Sequence, residues 1–136
     1  MTRDLYASAA ETAALLREGQ AYRRERLQAA DMITVVEAAS LMGVDALTMA
    51  AWTSGGRCIG IAGPDAAMKV PRWQFETFVW SSIERISQSL GTRDPWQILD
   101  FLETSAPALG GLTPRVALER GTGIERVLAA AIDDAH

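Results

Sequence analysis

Apolar positions recur along most of this chain with a helical period, and in one place they form short runs around a turn. Residues 4 to about 30 place Leu5, Ala9, Ala13, Leu16 and Leu27 on one stripe, within a stretch rich in helix formers that only Gly19 interrupts. The stripe is narrow and mostly alanine. An N-terminal helix of this kind buries little alone, which predicts packing on its own domain or on a second copy of the chain. Arg23, Arg24 and Arg26 surround its end, either as a solvated face or as a phosphate-contacting patch.

Residues 34 to 57 read as two short helices. Thr34-Val35-Val36-Glu37 is a capping box that starts the first, through Ala38, Ala39, Leu41 and Met42, and Gly43 stops it. Asp45 caps the second, which carries Leu47, Met49 and Trp52 and ends at Gly55-Gly56. The pair is a helix-turn-helix pattern. Cys58-Ile59-Gly60-Ile61 and Ala67-Met68-Lys69-Val70 then flank Gly63-Pro64-Asp65, predicting a small hairpin or wing.

Pro71 opens a longer predicted helix whose apolar positions Phe75, Val79, Ile83, Ile86 and Leu90 fall on one face, with Gly91 as its C-cap. Asp94-Pro95-Trp96 sets a capping acid before a proline at the first helical position, and Thr113-Pro114 repeats the device. Ala106 to Gly111 is a tight connection. Ile124, Val127, Leu128 and Ala131 stripe the final helix. The expected fold is mainly α: an N-terminal helical segment (1–32), a helix-turn-helix unit with a short β-hairpin wing (33–75), and a small helical domain (76–136). Trp52, Trp73, Phe75, Phe78 and Trp80 fall where the last two units join and read as shared core, with Trp80 open to an exposed contact role. Trp96, in register with Leu99 and Leu102, reads as core.

Composition narrows the function. The 136 residues hold 13 Lys and Arg against 17 Asp and Glu, a net charge of −4. Neither half is a polycation, so any nucleic-acid contact must be local or must come from an oligomer. One cysteine, Cys58, forms no internal disulfide and no zinc pair, which points to a reducing cytoplasm. The N-terminal stretch is broken by Glu11, Arg17 and Glu18 and reads as neither signal peptide nor membrane span. No phosphate-binding glycine motif occurs. The one histidine is the terminal His136, and Cys58 has no evident base partner. An enzyme, a cofactor and a resident metal are therefore not expected.

Asp94-Pro95-Trp96, Phe101-Leu102, Leu109-Gly110-Gly111-Leu112-Thr113-Pro114 and the closing Ile124 to Ala131 helix resemble, in order and spacing, the Xre/MbcA/ParS toxin-binding domain, over roughly residues 76 to 136. Upstream, Thr34 to Ala39 with Trp52, Arg57 and Pro71-Arg72-Trp73-Gln74-Phe75 is similar to the excisionase or MerR-type helix-turn-helix fused to that domain. The resemblance implies a cytoplasmic antitoxin of a type II toxin-antitoxin system. Its partner would be a RES-domain toxin that consumes NAD or transfers ADP-ribose from it, in a homodimer or a toxin-antitoxin hetero-oligomer, with autorepression at operator DNA as a second role. Its own act would be inhibition by occlusion.

Residue types sharpen that expectation. A NAD site holds pyrophosphate with cationic or N–H donors, and Asp133, Asp134 and the carboxylate of His136 are placed to approach such donors as decoy anions. Trp80, Arg115, Arg120 and Arg126 complete the candidate toxin-contacting set, although isolated arginines are by default solvated. Arg57, Lys69 and Arg72 cluster around the wing, where phosphate contacts fall if DNA is bound. The second helix of the pair offers Ala46, Thr48, Ala50, Ala51, Thr53 and Ser54 in place of base-reading Arg, Lys, Asn or Gln. A dimerising use of the same unit is therefore a rival to DNA reading. So, for the whole chain, is a DNA-binding regulator whose C-terminal domain only oligomerises.

Overall fold

The computed structural model describes residues 2–65 and 67–135, with side chains from residue 9 onward. Among the described residues, eight α-helices and three short strands make a mainly helical fold. α1 spans Thr2–Gln28, about 40 Å long at the usual rise per residue. It leads into β1 (Met32–Thr34), then α2 (Val35–Met42) and α3 (Ala46–Ser54), whose axes turn by 107° as a helix-turn-helix requires. β2 (Ile61–Ala62) and β3 (Met68–Pro71) form the hairpin, and a 3-10 turn (Arg72–Phe75) follows. The rest is α4 (Thr77–Trp80), α5 (Ile83–Leu90), α6 (Pro95–Glu103), a 3-10 turn at Pro107–Leu109, α7 (Pro114–Glu119) and α8 (Ile124–Ala135).

Local chemistry sets most of these boundaries. Thr34 Oγ1 accepts from the Glu37 N–H at 3.1 Å while Glu37 Oε1 accepts from the Thr34 N–H, closing the capping box. Asp45 accepts from the Thr48 N–H, Asp94 from the Trp96 N–H and Thr113 from the Val116 N–H. Gly43 and Gly91 end α2 and α5 with φ of 69° and 70°, a left-handed geometry that side chains with a Cβ resist.

Two features depart from the sequence reading. The hairpin has a third strand: β1 pairs antiparallel with β3, Ile33 opposite Val70, giving the order β1-β3-β2. The helix expected from Pro71 is also broken. Pro71 closes β3, Glu76 is extended at ψ 144°, and the Ser82 hydroxyl donates to the Phe78 carbonyl at 2.7 Å between α4 and α5. Hydroxyls that bond nearby carbonyls compete with the helix ladder. The break turns Phe78 outward, 62% exposed, so it is not part of the core expected for it.

Two apolar clusters hold the chain. The larger gathers Val79, Ile83, Ile86, Leu99, Leu102, Leu118 and Val127, with α5 lying along α8, and also draws in Met32, Ile59, Ile61 and Trp73 from the helix-turn-helix region. The smaller joins Ala38, Ala39, Met49, Cys58 and Val70, flanked by Trp52, Phe75 and Trp80. Trp96 is half-buried against the larger core, with the Arg23 guanidinium 4.9 Å above its ring. Leu27 packs on the same core, whereas Leu15 and Leu16 are exposed. Leu5 lies outside the described side chains. No single helix among the described residues is long and apolar enough to cross a membrane.

Candidate functional site

The C-terminal helices leave one large open groove. It has a volume of about 780 Å³ and runs between the C-terminal ends of α5 and α8 and one side of α6, with the 105–108 connection as its lip. Gln97 and Asp100 on α6 and Thr104 at its C-cap line it at spacings of three and four, on the side opposite the buried Leu99 and Leu102. From α8 come Asp133 and Asp134. The lip is fixed by Arg126, whose guanidinium donates to the Ala108 carbonyl at 3.1 Å.

The groove is electrostatically negative for two reasons. Leu90, Thr104 and Ala135 line it at or just past the ends of α5, α6 and α8, where carbonyls left without helical partners carry the negative end of each helix dipole. Three carboxylates, Asp100, Asp133 and Asp134, add their charge. Partial burial pushes the Asp100 carboxyl above its ordinary value. Arg23 pulls it back down, while Glu103 and Asp94 raise it further. Such a surface is matched by cations or N–H donors.

The structure distributes the sequence-derived candidates unevenly. Asp133 and Asp134 meet in the groove, and Arg126 holds its edge. Arg120 is exposed beyond α7. Arg115 lies elsewhere, 4.7 Å over the Trp73 ring and bonded to Glu119 at 2.9 Å. Trp80 is half-buried, its ring 5.4 Å from Trp52 and 5.3 Å from Phe75, which places it in the smaller core. His136 lies outside the described residues. Gln97, Thr104 and Ser105 are not among the candidates read from the sequence. The polar stripe at 97, 100 and 104 was the available signal.

The wing cations also separate. Arg57 stacks 4.7 Å over Trp80 and 5.6 Å over Trp52 and is half-buried. Lys69 is half-buried on β3, and Arg72 is exposed. Lys69 and Arg24 face one crevice of about 320 Å³ between the end of α1 and the hairpin, together with Asp65. Cys58 is buried and its thiol is pushed up to about 12 by burial, against a small opposing effect of Gln74, so it is no nucleophile at neutral pH. Among the described residues no group of three His, Cys, Asp or Glu side chains is placed to hold a metal ion.

Comparison with protein-family models, with curated proteins and with solved structures finds no match to this chain.

Proposed function

We propose that this chain is a cytoplasmic antitoxin that silences a RES-domain toxin by covering its NAD-consuming or ADP-ribosyl-transferring cleft. The observation that carries the reading is the negative groove, where Asp133 and Asp134 stand with Asp100 at the converging ends of three helices. A cleft built to hold a dinucleotide pyrophosphate presents cations and N–H donors, the complement of this surface. The resemblance of residues 76 to 136 to a toxin-binding domain supports the same partner. Inhibition here is an act of binding, with no catalytic step on this chain.

The test is to mix the chain with the purified RES-domain toxin and follow NAD loss. The intact chain is expected to stop NAD consumption at stoichiometric ratio. The triple substitution Asp100→Asn, Asp133→Asn, Asp134→Asn, at exposed positions that leave the fold intact, is expected to weaken inhibition at least about tenfold, roughly 1.4 kcal/mol. Unaltered toxin activity in the presence of the intact chain sinks the reading.

A second reading, a DNA-binding regulator whose C-terminal domain only oligomerises, is favoured by one feature, the crevice where Arg24 and Lys69 converge beside the wing. Replacing both with Ala would then lower operator retention and flatten its salt dependence.

A further inference from the structure

α1 carries one face past the body it docks on. Its last turns reach α6: the Arg23 guanidinium lies 4.9 Å from the Trp96 ring, and Arg26 bonds Glu103 at 2.8 and 3.0 Å. Arg23 meets the start of α6 and Arg26 its end, so α1 comes in from the N-terminal side of α6. From residue 9 to residue 20 every residue except Ala13 and Ala14 is exposed. Residues seven apart on a helix stand almost over one another, so Leu15, Leu16 and Gly19 continue the line of Tyr22, Arg23 and Arg26. The face that binds the body therefore runs on uncovered, with Leu15 and Leu16 65% and 64% exposed. A helical stretch this short is marginal in water and takes most of its stability from packing.

The same face leads to the acidic groove. Asp100 belongs to both, since it lines the groove and its carboxyl feels the charge of Arg23 on α1. Tyr22 stands beside it: partial burial raises the Tyr22 hydroxyl above its ordinary value, and the charges of Asp100 and Glu103 raise it further. A second copy seated across the groove and α1 together would set its own Asp100, Asp133 and Asp134 against these three, like charges at one contact. An anionic lipid surface or a nucleic acid meets the same repulsion. The matching occupant is a protein with a basic element for the groove and apolar surface beside that element.

We propose that the exposed face of α1 at Leu15 and Leu16 is a second contact for the partner that enters the acidic groove, closing on apolar surface beside that partner's basic element. The inference rests on the antitoxin reading, in which that partner is the RES-domain toxin. The two parts of the surface do different work. Complementary charge at the groove steers the encounter and fixes register, whereas covering the two leucines adds affinity through apolar area removed from water. Packing against the partner also supplies the support that this part of α1 lacks in the free chain.

The test uses the full chain and the purified RES-domain toxin, with two readouts. Amide hydrogen exchange over residues 12–20 is expected to be fast in the free chain and to slow in the complex. The double substitution Leu15→Gln, Leu16→Gln keeps helix propensity and net charge, and is expected to raise the concentration needed to stop NAD loss at least about tenfold. Its Tm should be unchanged, because both leucines are exposed. Ala10→Gln, on the opposite face of α1, should inhibit like the intact chain. Undiminished inhibition by the double variant, or exchange over residues 12–20 as fast in the complex as in the free chain, overturns this inference alone. So does a dimer of the free chain that the double variant dissolves, since the face would then belong to a second copy. An intact chain that leaves the toxin active ends both this inference and the reading it rests on.

Discussion

Gln74 is fully buried, and its carboxamide does the work of a strand. Its Oε1 accepts from the Ile59 N–H at 2.7 Å and its Nε2 donates to the Ile59 carbonyl at 2.9 Å, satisfying both backbone groups of a buried residue where no strand reaches. Gln74→Leu keeps the volume and removes both bonds, which is expected to cost about 2–4 kcal/mol in chemical denaturation, since each buried backbone group loses its partner. An unchanged midpoint would mean that water replaces the side chain. Gly60 is constrained in another way. A Cβ there would lie 2.6 Å from Thr53 Cγ2 and 2.9 Å from the Met68 sulfur, so Gly60→Ala forces α3 off the hairpin. The expected loss is about 1–3 kcal/mol, that of an overpacked core, and it is read from the shift in Tm.

At the scale of elements, the caps are the local decisions. Asp94, Pro95 and the left-handed Gly110 and Gly111 bracket α6 and the connection that lips the groove. Asp94→Ala is expected to cost about 1 kcal/mol, or about 3–5 °C in Tm for a chain of this size. Asp94→Ser should recover most of it, because a hydroxyl also accepts from the first-turn amides. These signals were readable because each lies within four residues of what it controls. β1 was not readable, since three residues hold no period and its partner β3 lies 35 or more residues on. The break between α4 and α5 was hidden for a related reason: Phe75, Val79 and Ile83 keep helical spacing even though Phe75 packs in one cluster and the other two in the second.

Across the whole molecule, one ionic network ties distant segments together. Arg26 at the end of α1 is 11% exposed and bonds both Asp31, at 2.7 and 2.8 Å, and Glu103 on α6, at 2.8 and 3.0 Å, while Asp31 accepts from the Trp73 indole at 3.0 Å. Burial alone would raise the Asp31 carboxyl, but the bonds and charge of Arg26 outweigh it and hold the group below its ordinary value of 3.8. Its stabilising contribution is therefore complete above that pH and is lost as pH falls below it, through the depressed folded value. Arg26→Met leaves Asp31 and Glu103 facing one another without a cation. The expected loss is about 2–4 kcal/mol at pH 7, somewhat below the cost of breaking a fully buried pair because Asp31 is one-third exposed. The difference between variant and intact chain should narrow as pH falls below 3.8 and through the depressed Asp31 value, and a difference that stays constant across that fall would refute the network.

The sequence by itself determined the helical class, the two helices with their turn, the hairpin and nearly every cap, because each is decided by neighbours along the chain. It also set the charge-free character of α3, which follows from composition alone. Only the tertiary structure decided that Asp100, Asp133 and Asp134 share a groove, that Trp80 and Arg57 stack together rather than face solvent, and that Arg26 reaches Glu103. Those outcomes depend on how α1, α6 and α8 pack around the larger core and on how α3 and α4 meet in the smaller one. A hydrophobic period records that a face is buried without recording what it is buried against.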